Sequence, residues 1–235
     1  MTEPVSESHP DNGLPVGVEI DATPAQRPGP VTLEGRYGRV ERLDPHRHGA
    51  ALWQAVRGHD DLWTYMGTYG PFVSEHDFLA WLASRIPLDD PYSYAVVEPS
   101  GRAVGIVTYM EIKPANRCIE VGHIVYSPAL QRTRLATEAQ YLMAKHAFES
   151  LGNRRYEWKC NALNAPSRRA ALRYGFAFEG ILRQHMIAKG RNRDTAYYSM
   201  LDSEWPARKA AFERWLSPDN FDSEGRQKTP LNSDM

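Results

Sequence analysis

Between Tyr92 and Tyr126 the chain runs through YSYAVVE, AVGIVTYMEI and CIEVGHIVY, three segments rich in β-branched and aromatic residues. Only PSGR and KPANR join them. Links this short cannot carry a crossover, so successive segments are expected to pair antiparallel. The third segment then feeds into SPALQRTRLATEAQYLMAKHAF, residues 127–148, a turn followed by an amphipathic helix. A meander that delivers its last strand to a helix mouth constrains everything placed around it.

The flanking sequence supplies the rest of the framework. VTLEGRYGRVERL reads as a first strand or bent hairpin arm, and Asp44-Pro45 starts a helix carrying Leu52, Trp53 and Val56. SEHDFLAWLASRI is a second helix with Ser74 as its N-cap, Asp77 three residues on, and Phe78, Leu79, Trp81 and Leu82 inward. After the central helix, which ends near Gly152, RRYEWKC reads as a strand and APSRRAALRYGF as a short helix. FAFEGILRQHMIAKG and DTAYYSML form a final hairpin. The expected fold is α+β, a mixed sheet with helices on its faces. Residues 1–30 read as a flexible N-terminal tail, residues 31–204 as the domain, and residues 205–235 as a helix followed by a mobile end.

Composition narrows the partners. Charged residues make up 24% of the chain and the formal net charge is −1, which gives no electrostatic reason to expect nucleic acid or an anionic membrane. Cys118 and Cys160 lie in strand-like stretches without metal-ligand spacing and read as reduced core residues of a cytoplasmic protein. His46 and His48 lack the spacing of a metal pair and read as solvated, so no metal is expected. The sequence leaves the oligomeric state open.

The helix mouth carries unusual donor capacity. The first amides of a helix have no internal partner, and the dipole adds about half a positive charge there. Amides from Arg132 to Thr137, among them those of Thr133, Arg134, Leu135 and Ala136, can converge on one anion. Arg132 and Arg134 add positive potential, and Thr133 and Thr137 add hydroxyls. A capped surface helix with two solvated arginines fits the same residues.

Context separates the two readings. The order strand, SPALQRTRLATEA, helix, strand, then NAPSRRAALRYGFAFEG resembles the GNAT acetyltransferase superfamily, from about Leu33 to Asp202. Its phosphate loop reads Gln/Arg-x-x-Gly-x-Gly/Ala. Gln131 and Ala136 match, whereas Arg134 stands where the first glycine belongs. Asn164, Ser167, Gly175, Phe176, Glu179 and Gly180 resemble the branch that acetylates ribosomal-protein N-termini. The resemblance implies acetyl-CoA as cosubstrate, its pyrophosphate on Gln131–Thr137 and its pantetheine arm on the backbone of Val125 and Tyr126. Asn164 would contact the pantetheine amide or hold the turn.

Acetyl transfer to an amine needs a base, donors for the oxyanion and a leaving thiol. Glu120 matches a strand glutamate that several family members use as base. Period-two alternation puts it on the face of Gly122, Ile124 and Tyr126, with His123 opposite. The other reading is a sheet-edge glutamate paired with an arginine such as Arg117. His185 adjoins Met186, where the ribosomal-protein branch has a glutamate; it can serve only if a bulge shifts its face. Many family members place a tyrosine at the position of Ala171, which leaves Ser167 as the hydroxyl available to the leaving thiol, or as a helix cap.

The loop DDLWTYMGTYGPF suggests a partly apolar acceptor cleft whose mouth, with Asp60 and Asp61, would suit a cationic amine. A peptide N-terminus and a small amine both fit. The alternative function is a catalytically silent acyl-CoA-binding module on the same fold.

Overall fold

The computed structural model describes residues 5–232. An exposed hairpin, β1 (Ser6–Ser8) and β2 (Pro15–Gly17), precedes the main sheet. The sheet contains β3 (Thr32–Glu34), β4 (Arg39–Arg42), β5 (Tyr92–Val97), β6 (Ala103–Lys113), β7 (Cys118–Tyr126), β8 (Arg155–Asn161), β9 (Ala177–Ala188) and β10 (Arg191–Leu201). Its order is β3-β4-β5-β6-β7-β8-β10-β9. The short links make β5, β6 and β7 antiparallel, as expected. Among the described residues only β7 and β8 run parallel, because the helix between them is a crossover.

Two helices, α1 (Pro45–Val56) and α2 (Glu75–Ser84), cover one face, over Leu43, Ala95, Ile106 and Val125. Asp44 caps α1 by accepting the His46 amide at 2.9 Å, and Ser74 caps α2 by accepting the Asp77 amide at 3.1 Å. In α2, Phe78 and Leu82 are buried while Leu79 and Trp81 are half-buried. His48 is a correction to the sequence reading. It is buried, with Nε2 2.8 Å from Glu41 Oε1 and Nδ1 accepting the Asp44 amide.

The other face carries α3 (Arg134–Lys145), α4 (Ala165–Arg173) and α5 (Trp205–Leu216). Every residue of α3 from Leu135 to Ala144 is buried, because α5 packs on its outer side and Tyr141 Oη donates to Glu213 at 2.8 Å. Buried Glu138 accepts the amides of Arg36 and Tyr37, each at 2.7 Å, which fixes the β3–β4 turn against the helix. A π-helical turn over His146–Ser150 ends α3, and Gly152 follows with φ +74°.

The segments read from composition as tails lie along this body. The Ala25 amide donates to Pro114 O, the Gln26 amide to Leu151 O and Tyr94 Oη to Gly29 O. Beyond α5, Trp215 Nε1 donates to Gln227 at 2.8 Å and Leu231 is buried in the α3 core. The core therefore continues across residue 204. No helix among the described residues is long and apolar enough to cross a membrane.

Candidate active site

The sheet opens at its centre. β7 pairs with β8 from Cys118↔Arg155 to Val121↔Trp158 and no further, while its pairing with β6 continues to Gly105↔Tyr126. The cause is a bulge. Ile106 faces Val125 but Thr108 faces Gly122, so His123 and Ile124 together oppose Val107, and His123 takes φ +46°. An extra residue on one strand bends it, here away from β8.

The bulge also reverses the alternation assumed from sequence. His123 lies on the side of Glu120 and Gly122, its ring edge-on to Tyr69 at 5.5 Å. Val125 joins the α1–α2 core, whereas Ile124 and Tyr126 pack against the α3 core. A bulge is invisible to period-two counting, which is why the sequence put His123 opposite Glu120.

Beyond Tyr126 the chain turns into α3. Gln131 Nε2 donates to Tyr126 O at 2.9 Å, Arg132 takes φ +62°, and Thr133 caps the helix by accepting the Ala136 amide at 3.1 Å. The Thr137 amide bonds the Thr133 carbonyl, and the Thr137 hydroxyl accepts from Arg173. Among the described residues, the amides of Arg132, Arg134 and Leu135 find no protein acceptor. The Arg134 guanidinium lies 3.8 Å over the Phe221 ring and 5.5 Å from that of Tyr37. A cavity of about 260 Å³ opens beside the mouth between Tyr37, Glu98, Leu130 and Leu135, at the Tyr126 end of β7 rather than the Glu120 end.

Glu120 is buried and paired, but not with Arg117, whose guanidinium binds the carbonyls of Gly152 and Asp21. Its partner is Lys159, with Nζ 2.8 Å from Glu120 Oε2 and 2.8 Å from Glu157 Oε2. Burial pushes the Glu120 carboxyl up to about 7, against the opposing pull of Lys159. Burial also acts on Glu157, but Arg155 and Lys159 together hold it down to about 2. Lys159 in turn lies 5.0 Å from the Tyr197 ring.

His185 reaches the same surface. Leu182 pairs with Thr195 and Met186 with Arg193, so residues 183–185 of β9 stand opposite Asp194 alone, with Gln184 at φ +50°. His185 Nδ1 lies 3.0 Å from Thr195 Oγ1 and its ring 6.0 Å from that of Tyr197.

Ser167 lies on the other side of the sheet. Trp158 Nε1 donates to its Oγ at 3.0 Å, and its amide donates to Asn164 Oδ1 at 3.1 Å, so Asn164 is the cap of α4. Trp158 and Cys160 face the α3 core, whereas Lys159 faces Glu120. Glu120 and Ser167 therefore flank the level at which β7 and β8 part, one from each face. Ala171 is buried in the core.

Sequence reasoning missed Lys159, Tyr197, Arg85 and Arg193, whereas Tyr69 lies in the aromatic loop it singled out. Lys159 had a signal: in RRYEWKC it alternates with Tyr156, Trp158 and Cys160 and so faces away from their core. The arginines had none, because Arg85 follows α2 and Arg193 sits beside a bulge. Lys189 Nζ donates to the carbonyls of Trp63 and Gly70, 2.7 Å each, and ties the β9–β10 turn to the aromatic loop.

β7 and β8 part beyond Val121, the unengaged amides lie past the end of β7, and the Glu120 carboxylate flanks the parting. Known proteins share this framework. The chain is 28% identical over 102 residues to the ribosomal-protein-serine acetyltransferase of Escherichia coli, which covers 43% of this chain and 56% of that protein. It thus spans about half the length of the curated relatives it matches. A crystal structure of a GCN5-related N-acetyltransferase from Brucella melitensis superposes with TM-score 0.87 at 46% identity, covering 90% of this chain and 96% of that one. RimL, a ribosomal L7/L12 alpha-N-protein acetyltransferase solved with coenzyme A, shares the fold at TM-score 0.62 and 19% identity, over 73% of this chain and 98% of that one. The family description "Acetyltransferase (GNAT) domain" matches residues 41–177, and with the split sheet and helix mouth this establishes that the chain belongs to the GNAT acetyltransferase family.

Proposed function

We propose that the protein is an acetyl-CoA-dependent N-acetyltransferase that passes the acetyl group directly to a primary amine in a ternary complex. The observation that carries this reading is the end of β7–β8 pairing at Val121, next to Glu120, with three unengaged amides following on the same strand's end. Bound acetyl-CoA supplies the activated acyl group. The chain's residues do the rest.

The amides of Arg132, Arg134 and Leu135, aided by the helix dipole, hold the pyrophosphate. The free edge of β7 from Gly122 to Tyr126 holds the extended arm. Glu120, with its carboxyl near 7, is poised to accept the proton the amine gives up as the new C–N bond forms. Lys159 is a positioning residue: it fixes the carboxylate and keeps part of it ionised. From the other face Ser167 can donate its hydroxyl toward the departing thiolate as the C–S bond breaks. His185 is the second candidate base, held by Thr195.

The ion pair between Glu120 and Lys159 also favours a second reading, a catalytically silent acyl-CoA-binding module, since a paired carboxylate is a weaker base. Thiol release from acetyl-CoA over a panel of peptides and small amines separates the two. Amine-dependent release supports the enzyme; slow release indifferent to amine supports the silent module.

A further inference from the structure

On the Glu120 side of the gap lie two guanidinium groups that the chain does not neutralise. Arg85, at the end of α2, and Arg193, in β10, are half-buried. Elsewhere Arg39 and Arg155 pair with carboxylates, and half-buried Arg42, Arg168 and Arg173 find oxygen acceptors. Arg85 and Arg193 have no carboxylate in ion-pair range among the described residues, and Arg193 Nε is buried without an acceptor. A charged donor so placed is costly to leave without an acceptor.

Both charges bear on the same two rings, Tyr69 and His123. Arg193 Nη1 reaches to 3.9 Å from where a side chain at Gly67 would begin, so it crosses the cleft to the aromatic loop. The Tyr69 hydroxyl is also buried without a partner, and burial pushes its pKa up, so it stays a donor. Burial, with Arg85 and Arg193, holds the His123 imidazole down to about 4, and it is neutral near pH 7. The cluster thus offers two positive charges and a spare hydroxyl, with no carboxylate among them. It sits at the bulge where β7 leaves β8, three residues along the strand from Glu120. Asp60 and Asp61, read from sequence as an acidic mouth, are exposed on the turn before Trp63.

We propose that the acceptor amine carries its own carboxylate a few bonds away, held between Arg85 and Arg193 with Tyr69 Oη donating to it. This rests on the acetyl-transfer reading and names the substrate class: an amino acid, or a peptide whose first residues are acidic. The carboxylate would anchor the molecule while its amine reaches Glu120.

The test compares matched pairs, free amino acids against their carboxamides and peptides opening with Asp or Glu against Asn or Gln, by kcat/KM for thiol release. The preference for the carboxylate member should be roughly ten- to a hundredfold, the scale of hydrogen bonds to a charged group. It should collapse toward parity in Arg85→Gln and Arg193→Gln and recover in part in the lysine variants. A ratio does not depend on how much of a variant is folded. The pair in which the preference appears distinguishes the two sources of the carboxylate. Quenching of tryptophan fluorescence, from Trp63 and Trp81 beside Tyr69, by N-acetylamino acids against their amides in the presence of coenzyme A reads the same preference without turnover. Carboxylate-selective quenching without amine-dependent thiol release would leave the anion site standing and remove the transfer reading. Equal use and equal binding of both members by the parent protein overturns the proposal, as does a preference unchanged in both glutamine variants.

Discussion

Lys159 Nζ lies 2.8 Å from Glu120 Oε2, and the same ammonium lies 2.8 Å from Glu157 Oε2. The two carboxylates do not share it equally. Glu157, also held by Arg155, sits at about 2, whereas Glu120, more deeply buried, sits at about 7. A general base acts when deprotonated, so kcat/KM should rise with pH along a limb centred near 7. Glu120→Gln should lower kcat by roughly a hundredfold or more at pH 7 while coenzyme affinity survives. Part of the loss should return at high pH, where the amine arrives deprotonated. Parental rates across the pH range would move the base to His185.

Lys159→Met tests the pair itself. Lys159 lowers the Glu120 pKa, so removing it should raise that pKa further and displace the acid limb to higher pH. A purely structural lysine would reduce thermal stability and leave the limb where it was.

Arg134→Pro probes the helix mouth. Position 134 is the first residue of α3, where proline is tolerated, and Thr133 before it is already extended at φ −88°, ψ 167°. The substitution deletes one unengaged amide. It should weaken acetyl-CoA binding by roughly ten- to a hundredfold, the scale of a hydrogen bond to a charged group. Arg134→Ala, which keeps the amide and loses the guanidinium beside Phe221 and Tyr37, should cost less. Equal losses in isothermal titration would assign the effect to the side chain.

Ser167→Ala should lower kcat more than coenzyme affinity, since help to a leaving group is exerted mainly in the transition state. A reduced melting temperature with unchanged kcat would confine Ser167 to its bond with Trp158 and the α4 turn.

What could be seen in advance follows the physics of each signal. Asp44, Ser74 and the short links PSGR and KPANR act locally, and the helices and antiparallel strands appear where these residues put them. Glu120 was legible as a charge in an apolar strand. Its partner was not: Lys159 arrives from a parallel strand 39 residues away, whereas Arg117 is near only in sequence. His123 was misplaced because one extra residue in β7 reverses the face of everything after it. The terminal segments were read as tails because isolated contacts such as Leu231 in the α3 core leave no periodic trace.

The most direct test of the account is thiol release from acetyl-CoA by the parent protein at pH 7, with and without an amine, alongside mass analysis of the amine. Release should depend on the amine, saturate with both substrates and yield the N-acetylated amine in equal amount. Acetyl-CoA binding without amine-dependent release across peptide and amino-acid acceptors would contradict it.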